Sequence, residues 1–463
     1  MTTTTEGIVG DAGALRRRVR GWMMFDWASQ PFYTLLLTFI FGPYFAAVVA
    51  DSLVADGLAP EQAKAGAQRL WSGAQTVIGV AIAVAAPLMG ALADRAASKM
   101  TWIVAFSAAY VVGTAGVWVM VPDASQTTLA LGAFALAMIG AEMTTLFTNA
   151  MLPGLAPRER VGRISGTGYA MGYAGGVLSL AVMLALFADN ADGRTFLGGD
   201  PALGLDGAAR EGTRAVGPFS ALWYVIFMIP FFAWVREPRL TARPLSLRGA
   251  AGDVMALLRQ LPGRPSLTAF LAGSMLYRDA LVALYSFGGV YATLVLDWET
   301  TQIGIFGIVG AVTAAVASYL GGRLDGRFGP KPVIVGAVCI LTGVLLVICF
   351  TSREMVVGLP IPEGSGLPDV TLYVMGALIG GAGGVTQAAS RTMMVRHADP
   401  DGAGEAFGLY ALAGKATAFL APALIWLGTT ITDSARLGYL PVALLFVAGL
   451  VLLRWVDPEG DRR

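Results

Sequence analysis

Long apolar runs recur along the whole chain, separated by short polar breaks. A run of about 20 apolar residues crosses the hydrocarbon core of a bilayer as a helix. Twelve such runs predict twelve spans, at 22–50, 71–92, 101–121, 128–152, 162–187, 217–235, 267–295, 302–322, 331–350, 371–395, 404–428 and 437–455. The two-residue alternation of a lipid-facing barrel strand is absent. Backbone groups in lipid must be satisfied within the segment, so the runs read as helices. One polar break stands apart: 236–265 carries six arginines (Arg236, Arg239, Arg243, Arg248, Arg259, Arg264) against Glu237 and Asp253. It lies at the middle of the chain with six spans on either side. The pattern predicts an all-α membrane protein of twelve transmembrane helices in two pseudo-symmetric six-helix bundles. The expected divisions are an N-terminal segment 1–21, a first bundle 22–235, a linker 236–266, a second bundle 267–455 and a tail 456–463.

The two halves share signals. GALADRAASK follows span 2 and GGRLDGRFGPK follows span 8, each with Gly four residues before Asp: Gly90 and Asp94, then Gly321 and Asp325. Arg95 follows the first Asp directly, whereas Gly326 intervenes before Arg327 in the second copy. Spans 5 and 11 both open G-x-x-x-G, from Gly162 and Gly404, thirteen residues after a polar residue of the preceding span, Asn149 and Arg391. Parallel repeats of this kind build two-bundle transporters.

Charge placement sets the expected orientation. Of 32 Lys and Arg, seven (Lys64, Arg69, Arg194, Arg210, Arg214, Arg353, Arg436) fall on one side of the spans and 23 on the other. Arg278 and Lys415 lie within spans. Lys and Arg beside short loops stay cytoplasmic, so both termini and the 236–265 connector are expected inside a bacterial inner membrane. The glycine- and aspartate-rich stretch 188–216 is then a mobile exterior loop. The 56% hydrophobic and 14% charged composition agrees, since soluble domains carry roughly 25% charge. A net charge of +1 points to no nucleic-acid partner. Residues 1–20 have no apolar core of their own, so no cleavable signal peptide is expected. Cys339 and Cys349 are ten apart on one predicted helix, about 15 Å of rise, too far for a disulfide.

Charge inside a bilayer is costly and marks a water-filled path or a buried pair. Spans 1, 4, 7, 10 and 11 carry it, as Asp26, Glu142, Arg278 with Asp279, Arg391 and Lys415; spans 3, 6, 9 and 12 carry none away from their ends. Asp26 and Arg391 lie toward the cytoplasmic side, and the other four nearer the midplane. Either they line a substrate path or they pair with one another; the sequence leaves both open. Gly90 allows close helix approach, and Asp94 can accept from Arg95 or from helix amides near Gly402–Gly404. Gly90, Asp94, Arg95, Asp325 and Arg327 are thus expected to form a cytoplasmic gate. Gly168, Gly172 and Gly176 on span 5, and Gly376, Gly380 and Gly384 on span 10, make close-packing seams. Pro31 is expected to kink span 1, WMMFDWASQPFY (22–33) to form an interfacial belt, and His397 to make a topology or headgroup contact. No P-loop and no metal-ligand spacing is present, so neither an enzyme nor a cofactor is indicated beyond coupling to protons.

Four stretches resemble the vacuole-effluxer-like (autophagy-related amino-acid effluxer-like) branch of the major facilitator superfamily. They are FDWASQPFYTLLLTFIFGPYFA (25–46), TNAMLPGL with GRISGTGYAMGYAGG (148–176), LYRDALVALYSFGGVYA (276–292), and GGVTQAASRTMMVR with FGLYALAGKATAF (383–419). The resemblance implies a major facilitator fold and secondary transport of a small polar metabolite, amino acids being the named candidates, by a protein working as a monomer in the lipid bilayer. The polar positions it carries over are Asp26, Asn149, Tyr173, Arg278, Asp279, Gln387, Ser390, Arg391 and Lys415. Ser29 and Gln30 stand where many members have Asn, so substrate identity does not carry over. The competing readings are a non-transporting sensor or scaffold and a lipid-translocating protein. With Gln30 and Glu142 added from the residues themselves, these positions form the expected substrate path.

Overall fold

The computed structural model describes residues 12–95, 98–151, 158–190, 192–236, 261–397 and 419–461, with scattered positions between 246 and 259 and between 410 and 417. Span 1 is three consecutive pieces: an α-helix Ala12–Pro31, a π-helix Phe32–Phe39 and an α-helix Phe41–Ala55. Proline lacks an amide donor for the preceding turn, and the widened winding starts directly after Pro31. The other spans are Pro60–Arg95, Met100–Gly116, Thr127–Met151, Arg158–Leu186, Val216–Trp234, Pro265–Leu296, Thr300–Phe328, Pro330–Cys349, Leu367–His397, Leu420–Thr432 and, for span 12, Leu437–Val442 with Ala443–Leu452. Among the described residues ten helices are long and apolar enough to cross a membrane, and Ala170–Leu186 and Leu420–Thr432 are shorter apolar stretches.

The packing repeats between halves. Spans 1 and 6, 3 and 4, 3 and 6, 2 and 4, and 1 and 5 pack together in the first half; 7 and 12, 9 and 10, 9 and 12, 8 and 10, and 7 and 11 do so in the second. The halves meet through span 2 on span 11, span 5 on span 8, and span 1 on span 7, which is the exchange a two-fold relation between halves demands. Spans 1 and 7 occupy equivalent central places, with 78% and 72% of their apolar windows buried. Leu222, Val225 and Ile229 of span 6 and Leu444, Val447 and Val451 of span 12 face outward. An apolar surface of that extent needs a bilayer to cover it.

Glycines set the tightest seams. On span 10, a Cβ at Gly380 would collide with the Gly310 carbonyl of span 8, and one at Gly384 would lie 2.9 Å from the Ala314 carbonyl. On span 5, Gly168, Gly172 and Gly176 leave room for Asp26, Gln30 and Thr34 of span 1. Those three are four apart, so they share one polar face of that helix.

Four expectations change. The 22–33 aromatics are not an interfacial belt: Trp22, Phe25 and Phe32 are buried, and Trp22 Nε1 donates to the Thr148 carbonyl of span 4 at 2.8 Å. Lys64 and Arg69 sit on span 2 itself, which begins at Pro60. The 188–216 stretch is built around fully buried Asp189, whose Oδ1 accepts from Arg210 Nε and Thr213 Oγ1 at 2.6 Å each; these bonds tie the start of the stretch to its end. His397 is buried, so it makes no headgroup contact. Its Nε2 lies 2.7 Å from Ser266 Oγ and its Nδ1 2.9 Å from the Met393 carbonyl, with the ring stacked on Phe270. The tail covers it: the Asp457 amide donates to Ser266 Oγ, and Asp461 accepts from the Ser266 and Leu267 amides that open span 7. Cys339 and Cys349 are both free.

Candidate functional site

Where the halves face each other, polar side chains converge from spans 1, 4, 5, 7, 10 and 11. Asp26 lies on the face of span 1 that packs on span 5, its carboxylate against Gly168. Arg391 of span 10, in the other half, is close enough for its charge to act on Asp26. Gln30, one turn on, lies against Gly172 and Gly176 and donates to Thr34 Oγ1 at 3.4 Å. Without those glycines span 5 could not come close enough to enclose a carboxylate and an amide.

A second cross-half group is uncharged. Gln387 Nε2 of span 10 points to Tyr173 Oη of span 5 at 3.5 Å. Tyr285 of span 7 reaches the same place, its hydroxyl filling the space that a side chain at Gly383, one turn before Gln387, would take. Tyr173 keeps 39% of its surface exposed, so this group is open on one side. Gln387 and Arg391 are one turn apart on span 10. Asp26, Arg391, Gln387 and Tyr173 therefore form one polar strip running between the halves.

Glu142 of span 4 is buried and accepts from Tyr33 Oη at 3.1 Å, with Tyr33 presented by the π-helical turn of span 1. Arg278 of span 7 lies with its guanidinium 4.4 Å from the ring centre of Tyr410, a cation–π contact, and close over Gly414. One residue on, Asp279 is buried, and its Oδ2 accepts from the Ala421 amide at 2.9 Å. Ala421 lies in the first turn of the helix Leu420–Thr432. A carboxylate there satisfies an amide that the helix itself cannot. Asp279→Ala is therefore expected to lower thermal stability by about 1–2 kcal/mol, with the apparent KM for substrate unchanged. Thermal unfolding and flux measured on the same preparation check both parts.

Asn149 is exposed near the end of span 4. Lys415 lies outside the described residues, as do Gly402–Gly404. At the expected gate, the helix of span 2 runs through Asp94 to Arg95, whose side chains are likewise outside the description. A Cβ at Gly90 meets nothing within 4 Å, whereas one at Gly321 would press on Val385 of span 10 at 2.8 Å. Of the two glycines, the second-copy one sits at a close helix approach. Asp325 is buried, and Arg327 is exposed with its guanidinium over Phe328. Among the described residues no cluster of His, Cys, Asp or Glu could hold a metal.

Sequence reasoning missed Tyr33, Tyr285 and Tyr410. A tyrosine carries no charge to mark it in an apolar helix. Tyr285 stood two turns after Arg278 on the same face of span 7, and that spacing was the available signal.

Two helical halves related by exchange, with a polar seam between them and an apolar exterior, define a transporter of the major facilitator class. The chain belongs to the family described as vacuole effluxer Atg22 like, whose model matches residues 74–463. It is 23% identical over 458 residues to an uncharacterized MFS-type transporter, YxiO, of Bacillus subtilis, covering 96% of this chain and 95% of that one. It is 25% identical over 310 residues to autophagy-related protein 22 of Cryptococcus neoformans, covering 65% of this chain and about half (51%) of the fungal protein. Among solved structures, that of a D-xylose–proton symporter superposes with a TM-score of 0.63 at 12% identity, covering 96% of this chain and 98% of that one. Proteins of this fold and family are transporters, not enzymes, and need no cofactor.

Proposed function

We propose that the chain carries a small polar metabolite across the membrane by alternating access, its two bundles rocking about the Asp26–Arg391 and Tyr173–Gln387 seam. The observation that supports this reading is that Gln387 of the second half reaches Tyr173 of the first, with Asp26 and Arg391, also from opposite halves, within range of each other's charge. Rocking must make and break such contacts, so whatever occupies them biases the two states. Neither the family nor the fold supports the sensor, scaffold or lipid-translocating readings.

The substrate fitting this seam has both signs of charge. Asp26 and Glu142 can meet an ammonium, and Arg391 and Arg278 a carboxylate, with Gln30, Gln387 and Tyr173 adding neutral hydrogen bonds. A zwitterionic amino acid has that form. Carboxylates within the spans also make proton coupling reasonable. The arginine-rich connector and the bias of Lys and Arg support cytoplasmic termini in a bacterial inner membrane, and the resemblance supports a single chain as the working unit.

Flux into proteoliposomes tests the reading. With an imposed proton gradient, a panel of labelled amino acids of each net charge, a neutral sugar, an apolar amine and a dianion is compared with empty vesicles. The expected result is saturable movement of at least one zwitterion, roughly tenfold above background. Movement of the dianion or the apolar amine alone, with every zwitterion inert, overturns it.

A further inference from the structure

The halves are also clasped at the end of the bundle away from the termini. Three residues of span 2, Lys64, Gln68 and Arg69, reach two turns of the second half. Lys64 Nζ meets Asp297 Oδ1 at 2.9 Å, after span 7, and Arg69 meets Asp433 Oδ1 at 2.6 Å, after span 11. Between them Gln68, fully buried, donates through Nε2 to Thr429 Oγ1 and to the Ala435 carbonyl, both at 2.8 Å. Gly438 makes room for this contact, since a Cβ there would fall 2.7 Å from Gln68 Nε2 and collide with Thr429.

The aspartates are placed at a cost. Asp297 and Asp433 end their helices in the left-handed region, with φ of 52° and 48°, which residues other than glycine enter reluctantly. A carboxylate at a helix C-terminus also opposes the helix dipole. The turn holding Asp297 is braced on both sides: Arg353 binds the Leu296 carbonyl and pairs with Asp369, which accepts from Trp298 Nε1 at 2.5 Å. Asp297 is thus held in place as a target for span 2.

We propose that Gln68 is the latch of this mouth, and that the two ion pairs beside it serve mainly to align span 2. Both acids are half or more exposed, 62% for Asp297 and 50% for Asp433. Exposed pairs of this kind contribute little and fade with salt. Gln68 differs because its two acceptors are dry while the mouth is shut. Truncating it removes two hydrogen bonds from the shut state and leaves the Ala435 carbonyl without that donor, a loss larger than the relief from no longer burying its Oε1 with no partner, whereas in the open state water replaces both bonds. The proposal rests on alternating access as set out above.

Distances between spin labels test it. Cysteines replace exposed Asp123 of the first half and Glu363 of the second, in a Cys339→Ser, Cys349→Ala background, with the protein in lipid nanodiscs and no substrate added. Gln68→Ala should raise the long-distance, open population roughly tenfold, and Thr429→Val should move it in the same direction. Lys64→Ala and Arg69→Ala should each change it less than about twofold in 150 mM salt. If Gln68→Ala cannot be purified folded, Thr429→Val decides alone, its lost acceptor being the same bond. An unchanged population in the Gln68 or Thr429 variant, or larger shifts from Lys64→Ala or Arg69→Ala, overturns the latch. Because populations are read without flux, a mouth that opens in these variants while no panel compound is carried sinks the substrate reading alone. Normal zwitterion flux with unaltered populations sinks the latch alone.

Discussion

Asp26→Asn is expected to lower transport by roughly tenfold or more, equivalent to about 1.4 kcal/mol of the limiting barrier, while the protein still reaches the membrane. The carboxylate lies in the glycine-lined contact of spans 1 and 5, within range of the Arg391 charge on the opposite half. Neutralising it keeps the shape but removes the negative charge that acts on Arg391 from that half. Arg391→Gln should give a loss of the same order by the converse route. The double variant separates two meanings of the pair. A purely structural pair is restored when both charges are removed, because no buried charge is then left alone. A pair that takes part in substrate or proton movement is not. The expected outcome is that Asp26→Asn with Arg391→Gln recovers protein level and thermal stability but not flux. Recovery of flux in the double variant would reduce the pair to a packing element.

Gly380→Ala should be the most damaging single methyl group in the second half. The added carbon would collide with the Gly310 carbonyl and lie 2.7 Å from Thr313 Oγ1. Backbone cannot swing aside as a long side chain can, so span 10 must shift away from span 8. A loss of about 3 kcal/mol, the upper end for overpacking, is expected. Gly336→Ala is the internal comparison: it sits on span 9 with nothing within 4 Å of the new methyl. Alanine favours a helix over glycine by about 1 kcal/mol, so that variant should match or slightly exceed the parent. Thermal unfolding of both in one detergent measures the difference. Equal stability of the two variants would show that the span 8–span 10 seam has slack.

The glycine stripes show how far a sequence can be read. Gly168, Gly172 and Gly176 were legible as a small-residue face from their spacing of four. What they face was not. That they enclose Asp26, Gln30 and Thr34 follows from how span 5 is rotated toward span 1. The same limit explains Asp279. Its charge in an apolar run pointed to function, but its contact with the Ala421 amide depends on where the described helix of span 11 begins. His397 was read as a surface residue because it ends a span beside Arg396. The tail that buries it comes from residues 457–461, some sixty positions later.

The sequence alone determined the succession of long apolar runs, the repeated motifs of the two halves, the bias of basic residues and the set of runs bearing charge. Each is local: whether a segment enters lipid depends on the transfer free energies of its own side chains, which sum along the chain without reference to partners. Only the tertiary structure decided that Asp26 lies within range of the Arg391 charge, that Gln387 meets Tyr173, that Lys64 and Arg69 lie on a helix rather than in a loop, and that Gln68 reaches Thr429 across 361 positions of chain. Those pairings depend on the rotation and axial shift of each helix against several neighbours at once. An offset of one residue turns a helix face by about 100°, so a contact between distant spans is fixed only when the whole bundle is packed.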